Sequence, residues 1–249
     1  MHKIIAIDQS TSGTKLMLFT EDLQMQKRIN RNHRQYYPQP GWVEHDAKEI
    51  YRNVVEGIRE LLDGEPVGQD RYSMAITNQR ETVVVWNRLT GRPIANAVVW
   101  QCLRGAEFCN QLKEAGKGPL VQEKSGLIID PYFSASGAKW LLDHVEGARA
   151  LAEEGTLQMG TIESWLIWKL TGGQRHVTDV TNASRTLLMN IHTLQWDADL
   201  LDLFTIPASM MPSVRSSSEV YGYTKTTIFA HEVPIAGSAG DQQAALFGQ

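Results

Sequence analysis

Two segments of the 249-residue sequence share a design suited to handling phosphate. One is Ile4-Ile5-Ala6-Ile7-Asp8, followed by Gln9-Ser10-Thr11-Ser12-Gly13-Thr14-Lys15. The other is Pro234-Ile235-Ala236-Gly237-Ser238-Ala239-Gly240-Asp241-Gln242. In each, an apolar strand leads to an aspartate beside a turn rich in Gly, Ser and Thr. Such a strand delivers the carboxylate to the end of a sheet, where ligands of open α/β proteins bind. Small residues let backbone N–H groups converge into a nest for an anion. The hydroxyls of Ser10, Thr11 and Ser12 add neutral donors, and Lys15 adds a positive charge. A carboxylate within reach of an alcohol can take its proton as the hydroxyl attacks. The competing reading of either aspartate alone is a turn cap, since Asp and Ser dominate turns by local hydrogen bonding. The sequence has no GxxxxGK[ST] and no GxGxxG, so any phosphate is held by neither a P-loop nor a dinucleotide fingerprint.

The elements that must position these residues follow from periodicity. Lys3 to Ile7, Thr14 to Thr20 and Gln24 to Asn32 read as three strands joined by tight turns, an antiparallel meander. After Pro38, Pro40 and Gly41, Asp46 with Glu49 forms a carboxylate capping arrangement. Ile50, Val54, Ile58 and Leu61/Leu62 then keep helical spacing up to Gly64. Ser73 to Thr77, Thr82 to Trp86, Ala97 to Trp100 and Ser184 to Met189 read as further strands. Helical patterns recur at Arg104 to Glu114, Ser136 to Leu142, Ala148 to Glu153, Thr161 to Leu170 and Asp197 to Phe204, and Gln242 to Phe247 follows Asp241. Gly172-Gly173 is the stop expected after the Thr161 to Leu170 helix. The whole reads as one α/β domain, 1–249, with a meander first and strand–helix alternation later.

Composition narrows the function. A charge of −4 with scattered Lys and Arg argues against a nucleic-acid partner. Cys102 and Cys109 form no CxxC, so both are expected reduced and packed. The seven histidines do not cluster into a metal site. Asp8 interrupts the first apolar run at once, unlike a signal peptide, and no apolar stretch approaches the roughly 20 residues of a membrane span. The expectation is a soluble, cytoplasmic protein with no membrane partner.

The motifs also carry a resemblance. Besides the Asp8 to Lys15 loop, they are Gly41-Trp42-Val43-Glu44-His45-Asp46, Thr77-Asn78-Gln79-Arg80-Glu81-Thr82 and Val99-Trp100-Gln101-Cys102. Further on come Asp130-Pro131-Tyr132-Phe133-Ser134, Thr178-Asp179 with Thr181-Asn182-Ala183-Ser184-Arg185-Thr186, and Gly240-Asp241-Gln242-Gln243 running to Gln249. Over essentially its whole length the chain resembles the FGGY carbohydrate kinases, and among them the glycerol kinases. The Gln79-Arg80-Glu81 and Asp241-Gln242-Gln243 segments are the specific part. The resemblance implies an α/β, ribonuclease H-like domain of the actin/hexokinase ATPase type: a mixed sheet with a β-meander start and flanking helices. It implies ATP-dependent phosphorylation of glycerol with Mg2+. Arg80, Glu81, Tyr132, Asp241 and Gln242 would hydrogen-bond the hydroxyls, with Trp100 against the carbon backbone. Thr11, Ser12, Gly13 and Lys15 would approach the ATP phosphates, Asp8 would help place magnesium through water, and Asp241 would be the base. Arg80 and Glu81 are adjacent, so only an irregular turn lets both face one ligand; without the resemblance they read as a solvated pair. Trp165 and Trp168 read as core.

The sequence departs from the glycerol kinase pattern in three places. Ser10 stands where Gly is usual, Gly13 where a hydroxyl residue is usual and Lys15 where Arg is usual. Lysine keeps the charge without the bidentate fork, and this loop is more similar to those of xylulose or gluconate kinases. The segment 223–231 lacks the glycine-and-arginine pattern for fructose 1,6-bisphosphate. Family members run to about twice this length, as a second domain of ordinary size requires. The chain is therefore expected to supply the polyol half. A C-terminal ATP-binding domain would complete it, the isolated chain would be inactive, and the full-length protein would be a homo-oligomer. The alternatives are a kinase for another sugar such as xylulose, and a non-catalytic polyol-binding fragment.

Overall fold

The computed structural model describes residues 1–65, 70–229 and 231–249. Alternating burial along the first strands shows which face meets the core. In β1 (His2–Gln9), Ile5 and Ile7 are fully enclosed while Ile4, Ala6 and Asp8 lie on a half-exposed face. β2 (Gly13–Thr20) repeats the pattern, with Leu16 and Leu18 inside and Lys15, Met17 and Phe19 outside. β3 (Met25–Asn32) completes the antiparallel meander.

Helix α1 (Ala47–Leu61) covers the inner face with Ile50, Val54, Ile58 and Leu61, all fully buried. Each such side chain contributes roughly 1.5–3 kcal/mol through removal from water. Asp46 caps the helix by accepting the Lys48 N–H at 2.8 Å. The reciprocal half of the capping arrangement is not made: Glu49 instead accepts the Arg34 N–H at 3.4 Å, because the chain leaving the meander passes beside the helix start.

β4 (Arg71–Asn78) pairs parallel with β1, and β7 (Pro234–Gly240) pairs parallel with β4, so the sheet order is Gly222–Tyr223, β7, β4, β1, β2, β3. Helix α3 (Ile162–Leu170) lies with α1 in the core beneath this sheet. Trp165 and Trp168 pack there against Trp86, the core placement expected of them. The helix stops where expected: the Gly173 N–H donates to the Trp168 carbonyl at 2.7 Å, with Gly172 and Gly173 both left-handed.

A second sheet is built on β5 (Val83–Asn87) and β6 (Leu157–Thr161), with Ala97–Val98, Glu44–His45 and Gln35–Tyr36 continuing it. It backs a separate apolar cluster that includes Cys109 and helix α2 (Ser134–His144). Both cysteines are free and buried.

One expected strand is absent. Ser184 to Met189 follows the short helix Val180–Ala183 as a turn, with Leu187 left-handed at φ 66° and only Met189–Asn190 extended. Leu187 and Leu188 are both fully buried in the same apolar cluster, whereas successive residues of a strand point to opposite faces. Ala230, within the 223–231 segment, lies outside the described residues. No helix among the described residues is long and apolar enough to cross a membrane.

Candidate active site

The parallel strands β1, β4 and β7 end in register, Gln9 opposite Asn78 and Asn78 opposite Gly240. Their carboxyl ends therefore deliver Asp8, the Gln79-Arg80-Glu81 turn and Asp241 to one edge, where open α/β sheets bind ligands. Gln79 ties two of these ends together. Its buried amide donates to Gln9 Oε1 at 3.0 Å and to the Ser10 carbonyl at 3.3 Å, and its Oε1 accepts the Thr82 hydroxyl at 2.9 Å.

Arg80 and Glu81 reach one side through an irregular turn. Glu81 is left-handed at φ 61°, and the Thr82 N–H donates to the Arg80 carbonyl at 2.7 Å. That conformation costs about 1–3 kcal/mol for a non-glycine residue. It is held by Ser134 at the start of α2, whose hydroxyl donates to the Glu81 carbonyl at 2.8 Å. Strained backbone of this kind clusters at functional sites. Neither side chain is solvated: Arg80 is 6% and Glu81 3% exposed, so the reading as a solvated surface pair is corrected.

The guanidinium of Arg80 lies between three acceptors. Its Nε is 3.3 Å from Asp241 Oδ1 and 3.9 Å from Glu81 Oε1, and Nη1 donates to Gln243 Oε1 at 3.2 Å. Only the Nη1 contact is aligned as a hydrogen bond; Nε is buried without a partner. Besides that bond, the guanidinium has donor capacity not used among the described residues. Gly240 makes the crossing possible, since a Cβ there would stand 2.5 Å from Arg80 Cδ and 2.7 Å from its Cγ. Glu81 accepts a charge-assisted bond from Arg185 Nε at 2.7 Å. Burial pushes the Glu81 carboxyl above its usual range, and Asp241 adds to this, while Arg185 and Arg80 pull it back. Asp241 itself is half-exposed.

Trp100 and Tyr132 stand edge to face, ring centroids 5.5 Å apart, forming a partly buried aromatic corner. The indole N–H of Trp100 donates to the Thr11 hydroxyl at 3.0 Å, joining that corner to the Asp8 loop. In the loop, the Ser10 N–H and hydroxyl both donate to the Gly13 carbonyl, at 2.8 and 2.9 Å. Gly13 is required where it stands, because a Cβ would lie 2.8 Å from the Arg31 carbonyl oxygen of β3. Ser12 is exposed, its carbonyl accepting the His33 N–H at 3.4 Å. Asp8 and Lys15 are register partners, and Lys15 Nζ sits 2.9 Å from Asp8 Oδ2.

Among the described residues no group of three or more ligating side chains could hold a metal ion by itself. Asp8 is partly exposed at the strand end and paired with Lys15; as a single carboxylate it fits magnesium, which keeps several waters and takes one or two carboxylates plus phosphate oxygens.

Gln242 is exposed and its side chain makes no bond to this cluster; its N–H caps Asp241 Oδ1 at 2.8 Å. The neighbouring Gln243 takes the contact to Arg80. Gln243 and Arg185 also touch the cluster, although the resemblance assigned no role to either; both sit inside quoted motifs. Nothing local in either motif signals a partner 104 residues away for Arg185 or 163 residues away for Gln243.

Glycerol kinase from Xanthomonas euvesicatoria pv. vesicatoria (strain 85-10) is 55% identical over 248 residues, 99% of this chain and 50% of that protein. Glycerol kinase 1 from Thermotoga maritima is 49% identical over 247 residues, again 99% of this chain and 50% of the relative. The crystal structure of Plasmodium falciparum glycerol kinase with ADP matches with a TM-score of 0.94 at 38% identity, covering 100% of this chain and 50% of that one. A ligand-bound xylulose kinase from Lactobacillus acidophilus, at TM-score 0.89 and 22% identity over 100% of this chain and 50% of that one, shares the fold. The α/β fold of the actin/hexokinase ATPase type expected from the resemblance is therefore the fold observed. The chain spans about half the length of the curated relatives it matches. From residue 3 to residue 248 it matches the N-terminal domain of the FGGY carbohydrate kinases, and it belongs to that family.

Proposed function

We propose that the intact protein transfers the γ-phosphoryl group of ATP to glycerol, giving glycerol 3-phosphate and ADP, and that this chain supplies the polyol half of the centre. The observation that carries the reading is the convergence of Arg80, Glu81 and Asp241 at one sheet edge, beside the Asp8 loop. Relatives named glycerol kinase support the choice of substrate.

A triol presents three groups that both donate and accept. The free N–H groups of Arg80 match hydroxyl oxygens, and the Glu81 carboxylate, held by Arg185, accepts hydroxyl hydrogens. The Trp100–Tyr132 corner supplies apolar area for the carbon chain, and the Tyr132 phenol adds a polar tip for a hydroxyl. Asp241, half-exposed beside Arg80, accepts the proton of the attacking hydroxyl as the oxygen–phosphorus bond forms and the bond to the ADP oxygen breaks. The transferring group spreads charge over its oxygens, so positioning and cationic stabilisation dominate. The loop N–H groups, the Thr11 and Ser12 hydroxyls and Lys15 are the donors on this side. Magnesium, when bound, neutralises phosphate charge, and Asp8 would hold it through water. The adenosine would be held by a second half of the size the relatives' extra length provides.

The Lys15-containing loop favours a second reading, a kinase for another sugar such as xylulose. A coupled assay for ADP release by the intact protein decides, with glycerol, erythritol, xylulose and gluconate compared at fixed ATP and magnesium. The highest kcat/KM is expected with glycerol. A higher value with xylulose would transfer the assignment to that sugar, and no turnover with any of them would reject a polyol kinase.

A further inference from the structure

Beneath the site runs a chain of buried polar groups that touches neither the polyol side chains nor the phosphate loop donors. Asp179, Asn182, Asn78 and Glu163 are all fully buried. Asn78 and Asn182 exchange reciprocal amide bonds, Asn78 Nδ2 to Asn182 Oδ1 at 2.9 Å and Asn182 Nδ2 to Asn78 Oδ1 at 3.0 Å. Asn78 Nδ2 also reaches Glu163 Oε2 at 3.0 Å and the Gln79 carbonyl at 2.9 Å, just before the Arg80-Glu81 turn. On the other side, Asn182 Nδ2 donates to Asp179 Oδ1 at 2.7 Å. Asp179 Oδ2 accepts the Thr181 hydroxyl at 2.6 Å, the Thr181 N–H at 2.9 Å and the Ser217 hydroxyl at 2.7 Å. With its only hydrogen turned to Asp179, the Thr181 oxygen is left as an acceptor, and the Gly240 N–H donates to it at 2.8 Å. Gly240 caps helix α4 (Asp241–Phe247), and the bonded N–H, on the Ala239–Gly240 peptide, lies one residue before Asp241.

We propose that Thr181, oriented by Asp179, is a positioning residue for phosphoryl transfer: it fixes the Gly240 peptide, while the same Asp179 fixes the Asn78 end through Asn182, so that one buried carboxylate sets the separation between Asp241 and the Arg80-Glu81 turn. This rests on the reading of Asp241 as the proton acceptor. The two ends are also paired in register as backbone, but pairing ends at Gly240, and Asp241 projects beyond it. A misplacement of about 1 Å at a reacting group can cost about a hundredfold in rate. Polyol binding uses mainly the Arg80 guanidinium and the Glu81 carboxylate, and the bond from the Gly240 N–H to Thr181 involves neither head group, so kcat should carry more of the effect than the glycerol KM.

The test compares Thr181→Val and Thr181→Ser with the wild type in the intact protein. Valine keeps the shape and removes the acceptor; serine keeps the hydroxyl. Thr181→Val should lower kcat by about tenfold or more with the glycerol KM nearly unchanged, and Thr181→Ser should restore kcat. Amide exchange at Gly240 is followed in the same proteins, because it reads the tie without any turnover. Protection should fall in the valine variant and persist in the serine variant. Equal kcat in all three, equal loss in both variants, or a Gly240 amide as protected in Thr181→Val as in the wild type would overturn the proposal. If the wild type fails to phosphorylate glycerol, the functional reading fails by itself. The Gly240 amide then still decides the tie, loss in Thr181→Val alone supporting it and unchanged protection rejecting it.

Discussion

Arg185→Ala is expected to destabilise the protein in a pH-dependent way, because it strips Glu81 of its closest partner. Among the described residues, the Arg185 Nε bond at 2.7 Å is the only hydrogen bond made to the Glu81 carboxylate. A hydrogen bond to a charged group is worth about 1.5–3 kcal/mol, and breaking a fully buried pair costs about 3–5 kcal/mol. Arg185 is 25% exposed and Arg80 Nε remains 3.9 Å away, so the lower range applies. For a domain of this size that corresponds to a fall in Tm of about 3–12 °C. The pH dependence follows from the direction in which Glu81 is already pushed. Burial raises its folded-state value above 4.5, against the pull of Arg185 and Arg80. Folded protein therefore holds this proton more tightly than unfolded chain, and the associated stability is lost as pH rises through the carboxylate range. Removing Arg185 raises the folded value further and enlarges that loss. Differential scanning calorimetry of variant and wild type should show a small Tm deficit near about pH 5 and a larger one near about pH 8. An equal deficit at both, or none, would refute the view that Arg185 offsets the effect of burial on the Glu81 carboxyl.

Gly240→Ala puts a methyl group 2.5 Å from Arg80 Cδ, and the overpacking, about 1–3 kcal/mol, should appear as lost kcat/KM for glycerol; unchanged kinetics would mean Arg80 is not held over this peptide. Arg80→Ala should raise the glycerol KM about tenfold to a hundredfold through lost charged hydrogen bonds, with the ATP KM little altered. Equal rises for both substrates would point to a folding role instead. Glu163→Gln tests the buried chain by pH: burial, then neighbouring Asp179, pushes Glu163 from 4.5 up to about 7. Across that window the native state holds a proton that the unfolded chain has released, so this group makes stability fall as pH rises. Buried His45 and His176, pushed down to about 3 and about 4, slope the other way over the same range, so the variant is read as a difference from the wild type. Thermal unfolding should show the variant's stability rising more steeply with pH, by up to about 1.4 kcal/mol per unit; an identical slope would contradict a carboxyl protonated in that window.

Much of the fold was legible because its signals are local. The alternation of Ile5, Ile7, Leu16 and Leu18 fixes the inner face of the meander, and Ile50, Val54 and Ile58 fix the α1 stripe. The strand at Ser184 to Met189 was misread because Leu187 and Leu188 are buried by a turn, which period-two reasoning cannot describe. At the site, two carboxylates at strand ends were readable, and the condition that Arg80 and Glu81 need an irregular turn is met by the left-handed Glu81. Their burial was not readable, since it depends on Ser134, Arg185 and Gly240 arriving from distant segments. Gly13 shows the converse. Its departure from the usual hydroxyl residue has a steric cause in the Arg31 carbonyl of β3, visible only once the strands pair.

The central claim is that Asp241 is the base of a polyol kinase centre whose binding is carried by its neighbours. It is tested most directly by Asp241→Asn in the intact protein, with glycerol affinity measured by calorimetry and ADP release by a coupled assay. Asparagine keeps the size and can still accept one hydrogen bond, but it cannot take the proton. Transfer should be abolished while glycerol affinity stays within about tenfold, roughly 1.4 kcal/mol. Turnover close to wild type in Asp241→Asn would contradict the account.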